Sequence, residues 1–154
     1  DVLVELGRHL KEVTTGHELL AVIPAGKVPF YSGLQTLDMR GLCDRHIAQQ
    51  NVDPDLTHKL TGHLKRDPEY VLQAKPDYIV LTGAELKPGA EVTLTDQAGK
   101  MPLLDEWTIT RMQEFKDNYK KVVVELPTGT KNLVYFKRII PDDGDSNNAS
   151  SPNA

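Results

Sequence analysis

The sequence predicts an α/β fold: a layered sandwich with a mostly parallel central sheet and an antiparallel hairpin at its edge. Three observations predict it. Leu19-Leu20-Ala21-Val22-Ile23 and Tyr78-Ile79-Val80-Leu81 are short, continuous apolar runs, the pattern of strands buried on both faces. Helical patterns alternate with these runs through the first half of the chain. Near the end, Val122–Val124 and Leu133–Lys137 flank Pro127-Thr128-Gly129-Thr130, which reads as a hairpin turn.

The elements follow in order. Leu3, Leu6, Leu10 and Val13 are spaced by three, four and three, a helical stripe that starts almost at the first residue. That opening, with no cap or leader before it, reads like a piece cut from a longer chain. The first strand ends at Pro24 and Gly26, and Pro29–Gly33 makes a compact turn or short helical segment. Thr36–Asp38 is a second short strand, and Asp44 caps a helix running to Gln50. Asn51–Lys65, polar and holding Pro54 and Gly62, reads as an irregular loop. Asp67-Pro68 starts a helix with an N-cap Asp and Pro at the first helical position, and Pro76 ends it near Lys75. Val92–Leu94 forms a small excursion within a Gly- and Pro-rich stretch. Trp107, Met112, Phe115 and Tyr119 suit one helix face, most simply a core-facing one.

The chain has 154 residues, 18 basic and 22 acidic, with 39% hydrophobic residues, the composition of an ordinary globular protein. Residues 1–140 read as a single α/β domain, and 141–154, biased to Asp, Ser and Asn, as a disordered acidic tail. Setting the tail aside leaves the body nearly neutral, without the basic footprint that a phosphate backbone requires, so nucleic acid is not an expected partner. No apolar run is long enough to span a bilayer. The lone Cys43 excludes an internal disulfide and a Cys-rich zinc site.

Polar and titratable residues concentrate between Gly26 and Lys65: Asp38, Arg40, Asp44, Arg45, His46, His58, His63 and Lys65. In an open α/β sheet ligands sit beyond the carboxyl ends of parallel strands, which is where Asp38 falls. One account makes Asp38, Asp44, His63 and Lys65 converge on a polar pocket. The other has Asp44 capping a helix, Asp38 pairing with Arg40 or Arg45, and the histidines solvated. Metal and cofactor expectations are both none. His17, His46, His58 and His63 show no tight pair of the kind zinc needs. Cys43, with Asp44 and His46 nearby, lacks a third, orienting group. Ser32 lies outside a Gly-x-Ser-x-Gly elbow, and no Gly-rich phosphate loop occurs. Asn148-Ala149-Ser150 fits a glycosylation sequon at the level of chance.

A more specific pattern runs from Ala21 to Leu81. It comprises Gly26 with Pro29-Phe30-Tyr31-Ser32-Gly33, then Leu37-Asp38-Met39-Arg40-Gly41-Leu42-Cys43-Asp44-Arg45-His46-Ile47-Ala48. Gly62-His63-Leu64-Lys65, Asp67-Pro68-Glu69-Tyr70-Val71-Leu72 and Lys75-Pro76-Asp77-Tyr78-Ile79-Val80 complete it. This text resembles the soluble C-terminal domain of bacterial polytopic membrane glycosyltransferases of the GT-C type, the arabinofuranosyl- and mannosyltransferase-like proteins that use polyprenyl-phosphate sugars. Glu5–Leu10 resembles the helix that follows the last membrane span in such proteins. The likeness covers about half the chain and fades after Thr82; Cys43 stands where Thr or Asn is expected.

The resemblance implies an extracytoplasmic (periplasmic) accessory domain, not catalytic alone, because the catalytic acid of GT-C enzymes lies near the first membrane span. It implies a parent transmembrane domain as partner, and a glycan or polyprenyl-phosphate-linked sugar as ligand. Asp38, Asp44, His63, Lys65, Tyr31 and His46 are the candidate ligand-binding residues, with no catalytic and no metal-ligating residue among them. Carboxylates suit sugar hydroxyls, and Lys65 or His63 suits a phosphate. The competing expectation is a structural module that packs on a membrane partner through an exposed apolar patch, with no pocket at Asp38. A stand-alone small enzyme would instead need an acid, base and nucleophile within hydrogen-bond reach.

Overall fold

The computed structural model describes residues 1–23, 25–52, 65–81, 85–86, 109–125 and 132–140. His58, His63, the Val92–Leu94 excursion, Trp107, the Pro127–Thr130 turn and the 141–154 tail lie outside the described residues.

Helix α1 spans Val2–Val13, and it does have a cap: the Asp1 side chain accepts from the Leu3 amide at 3.1 Å. Strand β1 is Leu19–Val22, α2 is Lys27–Ser32 and β2 is Gln35–Asp38. The short helix α3, Arg45–Ala48, and α4, Pro68–Gln73, lead to β3, Tyr78–Val80. Strand β4 is the pair Glu85–Leu86, which no feature of the sequence had singled out. Helix α5 is Gln113–Asn118, followed by β5, Tyr119–Glu125, and β6, Asn132–Arg138.

The α/β class holds, but the sheet is mixed and not mostly parallel. β1 pairs in parallel with β2 and with β3, whereas β6 pairs antiparallel with β3, β4 and β5. β5 runs along the whole of β6, so β3 and β4 must share its other edge. Pairing shifts by three residues between them, from Ile79↔Phe136 to Glu85↔Leu133. β6 therefore joins the parallel half to the outer strand β5. Its burial agrees: Leu133 to Phe136 are all buried, while β5 alternates along most of its length.

Alternation along the strands divides the apolar residues between the two sheet faces. Leu20, Val22, Tyr78, Val80, Leu133 and Tyr135 pack with Leu6 and Leu10 of α1 and Val28 of α2. Ala21, Leu37, Ile79 and Phe136 pack with Ile47 of α3, Val71 and Leu72 of α4, and Phe115 of α5. Gly7 permits the close crossing of α1 and α2, since a Cβ there would lie 2.7 Å from Tyr31 Cβ and 2.9 Å from the Val28 carbonyl oxygen. Among the described residues no helix is long and apolar enough to cross a membrane.

Tyr119 does not continue the helix as its spacing suggested. It opens β5 with φ −128°, and its hydroxyl donates to the Pro76 carbonyl at 2.8 Å. Burial pushes this phenol up to about 12; Arg138 opposes the shift, and Asp77 and Glu114 add to it. An unfolded tyrosine loses its proton near pH 10. Between about pH 10 and 12 the unfolded chain releases a proton that the folded chain retains, so stability is full below that window and falls as pH rises through it. The expected loss is about 2 kcal/mol. Urea midpoints measured from pH 9 to 11.5 should hold up to about pH 10 and fall beyond it, and Tyr119→Phe should remove the largest part of the slope. A residual slope should remain, because burial raises Tyr70, Tyr78 and Tyr135 in the same direction.

Candidate functional site

In the order β2-β1-β3, the chain leaves β1 for β2 through α2 on one face of the sheet. It returns to β3 through α3 and α4 on the other. This reversal opens a switch point at the carboxyl ends of β1 and β3, where ligands bind in sheets of this kind. The Met39 amide bonds to the Val22 carbonyl and the Ile23 amide to the Val80 carbonyl, each a step past its strand. The loop from Met39 to Asp44 is thereby held directly over this edge.

Asp38 ends β2 and is 1% exposed. Its Oδ1 accepts from the Arg40 amide at 3.0 Å and its Oδ2 from the Cys43 amide at 2.7 Å. The carboxylate is thus the template on which the loop folds, in the manner of an extended Asx turn. Both of these bonds come from backbone amides. Gly41 completes the bend at φ +75°, with its Cβ position 2.6 Å from the Ala48 amide nitrogen.

Asp44 caps α3: its Oδ1 accepts from the Ile47 amide at 2.9 Å, and its Oδ2 takes a bond from the Tyr70 hydroxyl at 3.3 Å. Asp67 caps α4 in the same way, with Oδ1 accepting from the Tyr70 amide at 2.9 Å. Its free Oδ2 meets His46 Nε2 at 2.8 Å. The His46 ring stacks on Tyr70 with centroids 4.0 Å apart and planes 19° from parallel. Burial, then the Asp44 carboxylate and its hydrogen bond, then Asp67, push the Tyr70 phenol above its ordinary value. Tyr70 therefore stays a neutral donor to Asp44. Two helix N-termini, two carboxylates, one imidazole and one phenol form a single clasp.

Of the residues singled out in the sequence, Asp38, Asp44 and His46 meet at this edge. Lys65 reaches it as well, its Nζ donating to the Ala48 carbonyl at the end of α3. His63 lies outside the described residues. Tyr31 does not join them: it sits on α2 against Gly7, with the Arg8 guanidinium 5.4 Å from its ring centroid. Asp67 and Tyr70 belong to the site although the sequence pointed only to a cap and a helix. Their partners are more than twenty residues away, and no local spacing encodes that meeting.

The outward-facing parts of the clasp are polar, with the His46 side chain 46% and that of Asp67 24% exposed. Beside them Met39, Arg66, Asp67, Pro68 and Val71 line a recess of about 10 Å³, room for roughly one water and not for a sugar ring. A larger ligand would have to lie across the rim. Leu42, 68% exposed, and the Cys43 thiol stand on the same loop, and Phe30, 80% exposed, on α2. Among the described residues no group of three His, Cys, Asp or Glu side chains is arranged to hold a metal ion.

No curated protein and no solved structure matches the chain. A family model, described as a domain of unknown function (DUF8728), matches residues 2–138, and the chain therefore belongs to that family.

Proposed function

We propose that this domain is an extracytoplasmic accessory module of a membrane glycosyltransferase using polyprenyl-phosphate sugars, recognising the glycan acceptor or the lipid-linked donor across the carboxyl edge of its sheet. One observation carries the reading. Two separate stretches of the text that resembles GT-C proteins, Leu37–Ala48 and Asp67–Leu72, meet through His46–Asp67 and Tyr70–Asp44. They do so at the switch point of the sheet. The partly exposed carboxylate and imidazole suit sugar hydroxyls, and Lys65 beside α3 suits a phosphate. Helices on both faces of the sheet support the layered-sandwich architecture that goes with this reading.

A second reading has its own support. Asp38, Asp44 and Asp67 already accept from backbone amides, so the clasp serves to fix a difficult loop whether or not a ligand arrives. On that reading the domain packs on a membrane partner, through surfaces such as exposed Phe30 and Leu42.

Calorimetric titration of the isolated chain with short cell-envelope glycans and with a short-chain polyprenyl phosphate separates the two. Recognition predicts saturable binding to one probe, weakened about tenfold by His46→Ala, roughly the worth of one charge-assisted hydrogen bond. The circular dichroism spectrum should stay unchanged, since His46 is exposed. Absence of binding to every probe favours the packing module. Sugar transfer by the isolated chain would contradict the accessory role.

A further inference from the structure

At the amino ends of β1 and β3, opposite the clasp, a cleft of about 220 Å³ lies beside α4, α5 and the end of β6. Lys75, Arg138, Leu72, Ile140, Asn118 and Glu114 are among the residues that line it. Two cations and the Glu114 carboxylate thus line it, and the Asp77 carboxylate pairs with one of the cations. The Arg138 guanidinium is fixed, one Nη donating to Asp77 Oδ1 at 2.6 Å. Asp77 is itself divided, because its Oδ2 accepts from the Leu19 amide at 2.9 Å. Arg138 Nε is buried with no hydrogen-bond partner among the described residues, so one N–H of the guanidinium remains unsatisfied. Lys75 has no ionic partner among the described residues. Its backbone sits at φ +51°, a left-handed conformation that a lysine seldom adopts and that the surroundings must enforce. Ile139 and Ile140 are 45% and 68% exposed on the same rim.

We propose that this cleft binds a small amphiphilic anion, its charged head held by Lys75 and Arg138 and its short apolar chain lying against Leu72 and Ile140. The volume suits a head group with a few carbons and excludes anything of ordinary drug size. A preorganised guanidinium with a second, exposed ammonium is a common way to hold phosphate or carboxylate. The apolar rim explains what an inorganic ion alone would not: two exposed isoleucines next to two cations. This site is separate from the carboxyl-edge clasp, so success or failure of either proposal leaves the other standing.

The test is an amide-resolved NMR titration of the full chain with butyl phosphate, pentanoate and inorganic phosphate. Saturable shifts are expected at Lys75, Asn118, Tyr119 and Arg138–Ile140, with inorganic phosphate several-fold weaker than butyl phosphate. Saturation by butyl phosphate, by pentanoate or by both supports the site and tells which head group it takes. Lys75→Gln should weaken binding about tenfold, while Glu114→Gln, which removes a repelling charge, should strengthen it about threefold. Ile140→Ser should abolish the preference for butyl phosphate over inorganic phosphate. Lys75, Glu114 and Ile140 are solvent-facing, so these variants should fold; Arg138 is left intact because it also ties β6 to Asp77. Shifts that never saturate, shifts spread over surface lysines in general, or unchanged affinity in Lys75→Gln would overturn the proposal.

Discussion

Replacing Asp38 with Ala should lower the stability of the fold by about 3 kcal/mol, seen as a reduced urea midpoint with little change in slope. The side chain is 1% exposed and makes two hydrogen bonds, to the Arg40 and Cys43 amides. Removing it withdraws the acceptor from both amides at once and leaves a small void. Asp38→Asn should recover only part of the loss, because one of its two oxygens becomes a donor facing an amide N–H. The effect should extend past the loop. Asp44, one residue beyond Cys43, starts α3, and α3 presents His46 to Asp67. Amide exchange in α3 and at the start of α4 should therefore rise more than in α1 or β5. Uniform exchange across the domain would mean that Asp38 does not organise this edge.

Gly41→Ala should be at least as damaging, at about 3–5 kcal/mol. Two costs add. The residue stands at φ +75°, where a Cβ is strained, and that Cβ would lie 2.6 Å from the Ala48 nitrogen and 2.8 Å from the Ile47 carbonyl carbon. Both neighbours are backbone atoms of α3 and its immediate end, so no rotamer change can relieve the clash. Gly16→Ala separates the two costs, since Gly16 has φ +91° but nothing within 4 Å of its Cβ position. That variant should lose only about 1 kcal/mol. Similar losses in both would show that α3 does not press on the loop as described.

Much of the local structure was legible because its signals are short-range. The apolar runs of β1 and β3, the stripe of α1, and the caps Asp44 and Asp67 each depend on residues a few positions apart. What the sequence did not disclose depends on distant pairing. The final hairpin looked like an edge added to a parallel sheet. Yet β6 pairs with β3 and β4 as well as β5, which makes the sheet mixed. The unbroken apolar run Leu133–Phe136 carried that information, because an interior strand needs both faces apolar, and the alternating β5 does not. Tyr119 fitted a helical spacing but was drawn into β5 by its pairing with Arg138 and its bond to Pro76. At the candidate site, Asp38 and Asp44 were legible as residues. Their bonding was not, because an Asx-type loop satisfies carboxylates with amides that composition cannot reveal. Tyr31 belonged to the same resembling text, but helix packing against Gly7 sets its position.

The most direct test of the account is an amide-resolved NMR titration of the isolated domain with cell-envelope glycans and a short-chain polyprenyl phosphate, repeated with His46→Ala. Recognition at the carboxyl edge predicts saturable shifts centred on Cys43, Asp44, His46, Asp67 and Tyr70, weakened about tenfold in the variant. Spectra that leave these residues unmoved by every probe, at concentrations where the domain stays folded and monomeric, would contradict it.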